Sequence, residues 1–167
     1  SVCTNWMPQL MHSFQEKYPA ITIELFQGTY DDVVYWIKNG VVDIGFLSAS
    51  SAADLPIQPL YKDPLICVVP KGMAIGAGRG TVGIQELRNQ KFVTQRESTD
   101  ADIQKFMKEN NLNVKSDYHV VDDLSTIAMV ANGFGICLMP QMVMKDIPYE
   151  VDCYPLEEEA YRIVGIA

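Results

Sequence analysis

The chain has 167 residues with a formal net charge of −8, and 48% of its residues are hydrophobic and 20% charged. These proportions are typical of a soluble globular protein, and the length allows one domain or two small lobes with buried cores. The excess of negative charge argues against direct binding of DNA phosphates by this chain. It does not exclude an anionic ligand, because helix dipoles can make a pocket locally positive.

The cysteines show no paired spacing and mostly stand in apolar runs, which predicts reduced core residues of a cytoplasmic protein; they are Cys3, Cys67, Cys137 and Cys153. The N-terminus lacks the basic and apolar pattern of a signal peptide. The uncharged run 124–144 contains Asn132, Gly133 and Pro140, which argue against a transmembrane helix. Both ends of the chain suggest truncation, since Ser1 opens a helix without a preceding strand and Ala167 ends inside an apolar run.

The N-terminal third predicts a helix followed by a strand–helix–strand unit. Large apolar side chains recur at helical spacing over 4–18, and alternating apolar residues over 21–26 predict a strand after Pro19. Thr29 is the expected N-cap of the next helix, which ends at Asn39-Gly40. The apolar run 41–47 predicts a strand buried on both faces. Such a βαβ unit binds ligands beyond the carboxyl ends of its strands, where Gly28, Thr29 and Ser48 fall.

The rest of the chain continues to alternate strands and helices. Strands are predicted over 65–69, 92–94, 118–121, 135–140, 149–156 and 161–167, and helical segments over 84–89, 100–110 and 122–132. Residues 71–83 are predicted to form a glycine-rich loop. Ser98 or Thr99 is the expected cap of the helix at 100, and Asp122, Asp123 or Ser125 that of the later helix. A loosely repeated order of Pro-Leu, polar turn and apolar strand predicts two α/β lobes joined by two strands.

Catalytic and metal-binding patterns are weak in this sequence. His12 and His119 both stand inside apolar-periodic elements, and the chain has no G-x-S-x-G, H-E-x-x-H or paired Cys/His spacing. Asp122 and Asp123 are neighbours that do not face each other in a regular element, so capping is the simpler interpretation. The sequence therefore predicts no catalytic residue, metal or cofactor.

Hydroxyl residues give a more specific indication of a binding site. They stand at predicted strand-to-helix junctions, and the set comprises Thr4, Thr29, Ser48, Thr94, Ser98 and Thr99. Each one alone is explained as a helix cap. As a group on one side of the strands they are able to converge on a carboxylate, sulfate or phosphate without a metal.

The order of motifs resembles the effector-binding domain of LysR-type transcriptional regulators over almost the whole chain. The matching pieces are SVCTNWMPQLMHSFQEKYPAITIELFQG, VVYWIKNGVVDIGF, IQPLYKDPLICVVPKG, IQELRNQKFVT, DDLSTIAMVANGFGICLMPQ and RIVGIA. Each motif is weak alone, but YP-x-I, NG-x-x-D-x-G and VANGFGI-x-L-M-P together are specific.

The resemblance implies an α/β, two-lobed periplasmic-binding-protein-like fold of type 2 with two crossover strands. Lobe I would comprise 1–62 plus 157–167 and lobe II 63–156, with the effector between them. The ligand-binding residues carried over from the family are Ser1, Val2, Cys3, Thr4, Gly28, Thr29, Ser48, Tyr61, Thr94, Gln95 and Asp123. Relatives that bind dicarboxylates can have a basic residue at position 48, so Ser48 weakens the case for a second ligand carboxylate, and Asp123 favours a ligand with a donor group.

The function implied is that of a small-molecule sensor that regulates transcription by changing lobe orientation and oligomer geometry. The resemblance implies a cytoplasmic protein without a membrane partner, for which a carboxylate or another small anion is one candidate effector. It also implies a homodimer through the sensor domains, a tetramer as one option for the full-length protein, and DNA binding only through an N-terminal domain absent from this chain. Two locations stay open at this level for a group of apolar residues of the first helix, namely the interface between subunits and the core of the domain itself. These residues are Trp6, Met7, Leu10 and Met11.

Two alternatives from other classes remain at this level. A solute-binding protein of a transport system would have the same lobes, but it would need an export signal. An enzyme on this fold would need a nucleophile in the cleft, for which Cys3 at the start of a helix is the best residue.

Overall fold

The computed structural model describes residues 2–95 and 101–167. Its helices are α1 (Val2–Asn5), α2 (Met7–Lys17), α3 (Tyr30–Lys38), α4 (Ile84–Leu87), α5 (Ala101–Glu109) and α6 (Asp123–Ala131). Its strands are β1 (Phe46–Ser48), β2 (Gln58–Pro70), β3 (Val93–Gln95), β4 (Tyr118–Val120), β5 (Cys137–Pro140), β6 (Val151–Pro155) and β7 (Tyr161–Ile166). Single 3-10 turns occupy Ala49–Ser51, Gly76–Gly78 and Gln141–Met144.

Strand β2 runs from one part of the molecule into the other. Its first part, 58–64, pairs antiparallel with β7, which also pairs with β1. From Leu65 onward β2 lies between β5 and β6. We call α1–α3, β1, the turn Ala49–Ser51 and the β2–β7 ladder lobe I, and α4–α6, β3–β6 and 65–70 of β2 lobe II. The two-lobed α/β architecture predicted from the sequence is thus confirmed, whereas the predicted residue limits of the lobes stay a prediction.

Lobe II has a hydrophobic core on each face of β2. Successive residues of a strand point to opposite faces, so Leu65, Cys67 and Val69 pack in one core with α4 and α5, while Ile66 and Val68 pack in another with α6. Full burial of one such side chain stabilises the fold by roughly 1.5–3 kcal/mol. The buried residues of α5 recur at helical spacing, and they are Ile103, Phe106 and Met107.

Lobe I differs from the prediction at two strands. The alternating segment 21–26 is extended but forms no strand, and the run 41–47 contributes only Phe46 and Leu47 to a strand. A strand requires a hydrogen-bonded neighbour, and among the described residues none pairs with 21–26. The predicted βαβ unit is therefore wrong for the described chain, because β1 pairs antiparallel with β7 instead of joining a parallel partner. Ile21, Leu25 and Ile44 remain about half exposed.

The helix boundaries agree with the local signals in the sequence. Thr29 caps α3 in a reciprocal capping box with Asp32, and Asp122 caps α6 by accepting a hydrogen bond from the Ser125 amide. The predicted caps Ser98 and Thr99 lie outside the described residues. Within the ranges described, no helix has the length and apolar character needed to cross a bilayer.

All four cysteines are free thiols, but they are not all core residues as predicted. Cys67 and Cys137 are buried, Cys3 is partly buried and Cys153 is exposed. Cys153 differs because it lies on β6, which pairs with β2 on one side only.

Candidate ligand-binding cleft

A cavity of about 1180 Å³ opens between the two lobes. Lobe I lines it with Tyr30 at the start of α3 and with Ser50 and Ser51 of the turn after β1. Lobe II lines it with β3, β4 and the outer side of α5, through residues that include Thr94, Gln95, Gln104, Lys108, Ser116 and His119. The hollow is thus large enough for a metabolite and is bordered mainly by polar groups that can orient one.

Three side chains form a hydrogen-bonded contact across this cleft. Ser48 Oγ and Ser50 Oγ of lobe I both donate to Asp102 Oδ1 of α5, at 2.9 and 2.5 Å. The two seryl oxygens lie 3.1 Å apart. Ser48 is fully buried at the end of β1, so its hydroxyl depends on this protein partner rather than on bulk water.

On the lobe II side, Gln95 and Asp123 are joined directly. Gln95 Nε2 donates to Asp123 Oδ1 at 2.9 Å, and this bond links the end of β3 to the first turn of α6. Thr94 Oγ1 on the same strand lies 3.1 Å from His119 Nδ1 and 3.3 Å from the Tyr118 carbonyl oxygen. Thr94, predicted as a junction hydroxyl, is therefore a strand residue that bonds to the neighbouring strand β4.

A buried ion pair of lobe I lies next to the cleft. Arg162 on β7 donates from Nε to Asp63 Oδ2 at 2.9 Å, and its Nη2 is 2.8 Å from the same oxygen. Its Nη1 donates to the Tyr30 hydroxyl at 2.9 Å. The other oxygen of Asp63 accepts the Met142 amide at 2.9 Å, which brings a turn of lobe II to the same carboxylate. Asn5 adds a further link, because its Nδ2 donates to the Met142 carbonyl at 2.7 Å.

Burial and neighbouring groups change the pKa values of Tyr30 and Arg162. Removal of Tyr30 from water raises the pKa of its phenol, and the positive charge of Arg162 only partly opposes that effect. Burial alone would lower the pKa of Arg162, but Tyr30 and Asp63 outweigh it and hold that pKa above its usual value. Arg162 is therefore a permanent cation held by Tyr30 and Asp63 of lobe I.

The residues predicted from the first helix and the first turn lie apart from the cavity lining. Val2, Cys3 and Thr4 form α1, and Ser1 lies outside the described residues. Gly28 passes close to Trp36 and Asp32, where a Cβ atom would have no room, and the Thr29 hydroxyl is engaged with Asp32. Tyr61 packs edge-to-face against Trp6, with ring centroids 5.5 Å apart.

The structure therefore brings together part of the predicted set. Ser48, Thr94, Gln95 and Asp123 lie around the cleft or bond to residues that line it. Sequence reasoning missed Tyr30, Ser50, Asp102 and Arg162. The signal for Arg162 was a charged residue inside the apolar run 161–167, whereas Asp102 gave none, since an acidic residue in a first helical turn is ordinary.

Comparison with known proteins agrees with this architecture. The family model "LysR substrate binding domain" matches residues 1–167. The chain is 26% identical over 166 residues to the uncharacterized HTH-type transcriptional regulator YoaU of Bacillus subtilis (strain 168), covering 99% of this chain and 57% of that protein. The chain thus spans little more than half the length of that regulator.

Two solved structures share the fold. The effector-binding domain of QuiR in complex with shikimate superposes with a TM-score of 0.85 at 21% identity, over 99% of this chain and 81% of that one. The regulatory domain of CcmR from Synechocystis PCC6803 in complex with 2-PG superposes with a TM-score of 0.81 at 19% identity, over 96% of this chain and 80% of that one.

The fold and the cleft define a two-lobed binding domain of the periplasmic-binding-protein type. The chain belongs to the LysR substrate-binding-domain family.

Proposed function

We propose that this chain is the effector-binding domain of a transcriptional regulator and that it binds a small metabolite between its two lobes. The observation that carries the proposal is the cavity of about 1180 Å³ lined by polar side chains from both lobes. A ligand that contacts both lobes stabilises one relative orientation of the lobes more than another. Such a difference in stability is the physical requirement for a sensor. QuiR and CcmR, which share the fold, are described in complex with shikimate and 2-PG.

The contacts that we propose for the effector fall into two groups. The first group comprises Thr94 and Gln95, which line the cavity with Tyr30 and Ser50, together with Ser48 and Asp123, which bond to the lining residues Ser50 and Gln95. The second group, which stays a proposal from the family resemblance, comprises Ser1, Val2, Cys3, Thr4, Gly28, Thr29 and Tyr61. We expect a ligand that offers both acceptors to the hydroxyls and donors to the carboxylate of Asp123.

The proposed output requires parts that this chain does not contain. The chain carries a net charge of −8, so we assign DNA binding to another domain of the full-length regulator. We further propose a cytoplasmic homodimer. The exposed apolar side chains of α2, Leu10 and Phe14, which are 49% and 38% exposed, support a protein contact on that helix. An effector-induced change in lobe orientation would then change the spacing of the DNA-binding domains.

The transport alternative is less well supported, because the relatives named above are regulators of transcription or their domains.

A screen of metabolites by thermal shift tests the proposed function directly. A ligand at about a hundred times its Kd stabilises the folded chain by roughly 2.7 kcal/mol. We expect Gln95→Ala to reduce the shift of a true effector and Lys71→Ala, at an exposed position beyond β2, to leave it unchanged. A hit whose shift survives Gln95→Ala and Thr94→Ala would place the site elsewhere.

A further inference from the structure

Asp102 is the lobe II residue that reaches across the cleft to lobe I. Its Oδ1 atom accepts hydrogen bonds from Ser48, 54 residues away in sequence, and from Ser50, 52 residues away. Helix α5, which carries Asp102, also packs close to the turn Ala49–Ser51. The contact is therefore a link between the lobes and not a local feature of one helix.

The chemistry of this contact is that of a carboxylate-binding site. Each seryl hydroxyl has one proton, and both oxygens lie within hydrogen-bonding distance of one carboxylate oxygen and, at 3.1 Å, of each other. Hydrogen bonds to a charged acceptor are stronger than those between neutral groups. Ser48 is fully buried, so the loss of this acceptor would leave its hydroxyl without a partner in a place that water reaches poorly.

We propose that Asp102 is an internal acceptor that clasps lobe II to lobe I in the ligand-free protein and occupies the position of the effector's own carboxylate. The second half of this proposal rests on the proposed function, whereas the clasp itself does not. The pair Ser48–Ser50 is then the part of the cleft that selects a carboxylate, and Asp102 is a residue that determines specificity by competing for it.

Exchange of one carboxylate for another conserves the hydrogen bonds but not the arrangement of charge. Once displaced, Asp102 carries the same sign as the ligand carboxylate beside it, and Asp123, whose charge like that of Asp102 acts on Tyr30, adds to the negative field. The repulsion favours movement of α5 away from the turn Ala49–Ser51. Ligand binding is thereby converted into a change of lobe orientation.

The clasp is tested without knowledge of the effector by chemical rescue. We expect Asp102→Ala to lower the melting temperature of the chain and acetate to restore part of the loss, because acetate supplies the missing carboxylate to the two hydroxyls. Acetamide, which has the same shape without the charge, is expected to restore much less. Glu109→Ala removes the same charge from an exposed position of the same helix and should show no acetate-dependent recovery.

A mutant cycle separates the clasp from the ordinary benefit of an acidic residue in a first helical turn. Asp102→Ala and the double variant Ser48→Ala/Ser50→Ala are compared with the triple variant. Because both bonds go to a charged acceptor, the two changes should be coupled by about tenfold or more in the unfolding equilibrium constant.

Additive effects in that cycle, or equal recovery with acetate and acetamide, would overturn the clasp. The other outcome is that both experiments confirm the clasp while Gln95→Ala leaves the thermal shift of every ligand unchanged. That outcome would refute the proposed effector site and leave the clasp standing. The two failures are thus distinguishable.

Discussion

Asp63 is a fully buried carboxylate in the strand that runs from one lobe into the other. Its two oxygens are bound by Arg162 of β7 and by the Met142 amide, and Arg162 in turn bonds to Tyr30 at the edge of the cleft. A charge taken out of water is tolerated only when its partners remain in place. This group therefore fixes the junction from which the lobes diverge.

We expect Asp63→Ala to lower the free energy of unfolding by about 3–5 kcal/mol, because it removes the buried carboxylate that lies against Arg162. Urea denaturation followed by circular dichroism measures the loss. Replacement of both partners, as in Asp63→Ala/Arg162→Met, should recover part of the stability since no charge is then left buried.

Lys62, the neighbour of Asp63 on β2, supplies the matched control. It pairs with Glu159 on the surface, and solvent screens that pair. Lys62→Ala should therefore destabilise the chain far less than Asp63→Ala. Similar losses for the two variants would show that Asp63 does not have the role assigned to it.

The cysteines provide a second prediction at the scale of residues. Burial raises the pKa of Cys67 to about 12, and it also raises the pKa of Cys137 well above its usual value. Partial burial and the charge of Asp152 also raise the pKa of Cys153, but this residue is exposed. Since only the thiolate reacts, iodoacetamide at neutral pH should modify Cys153 slowly and leave the buried Cys67 and Cys137 intact in the folded chain. Peptide mass spectrometry reads the sites. Rapid modification of Cys67 without unfolding would contradict the packing of β2 described above.

At the scale of elements, the capped helices bordering the cleft follow from short-range signals. Asp122 accepts a hydrogen bond from Ser125, which holds the pKa of its carboxyl below the usual value. A carboxyl with a lowered folded-state pKa contributes stability above its unfolded pKa of about 3.9. That contribution is lost as the pH falls through the lower, folded-state pKa.

Asp122→Ala is accordingly expected to cost about 1 kcal/mol at neutral pH. The difference between the variant and the parent chain should shrink in acid, where the carboxylate of the parent becomes protonated. Asp122→Asn retains a side-chain oxygen acceptor and should keep most of the stability. Denaturant titrations at several pH values measure the free energy of unfolding of each variant. A loss of stability in Asp122→Ala that stays constant down to the lowest pH would contradict the role of Asp122 as an ionised helix cap.

Helices and strands differ in how far the sequence determines them here. The helices α3 and α6 were predictable because caps, apolar spacing and stop signals all lie within one segment, and α5 was predictable from its apolar spacing. The segment 21–26 has the alternation of a strand, but a strand depends on a partner elsewhere in the chain, and the described residues provide none. The first half of β2 was missed for the converse reason. Its polar, proline-containing sequence pairs with β7, about a hundred residues away.

The cleft shows the same division. Ser48 was predicted from its position after a strand, where ligand contacts concentrate, whereas Gln95 and Asp123 were predicted from the family resemblance. Asp102 and Arg162 were not, since their roles come from partners 54 and 99 residues distant. Thr29 was predicted both as a cap and as a ligand contact, and its engagement with Asp32 accounts for the first role. Loss of a ligand response in Thr29→Ala would therefore be ambiguous, which makes Gln95→Ala the better probe.

At the scale of the whole molecule, strand β2 runs through both lobes, which enclose a polar cleft. Hydrogen bonds cross between the lobes at the Asp63–Arg162 group and at Asp102. The first is buried in the junction, and the second lies at the cleft where a ligand can replace it. This arrangement suits a sensor, because a fixed junction and an exchangeable contact together allow two lobe orientations of similar free energy.

Hydrogen–deuterium exchange with the best compound from the metabolite screen tests the central claim most directly. Binding between the lobes predicts slower amide exchange in peptides from both sides of the cleft, around 46–52 of lobe I and around 93–95 and 123–127 of lobe II. Protection confined to one lobe, or located on the outer surface, would contradict a ligand site between the lobes.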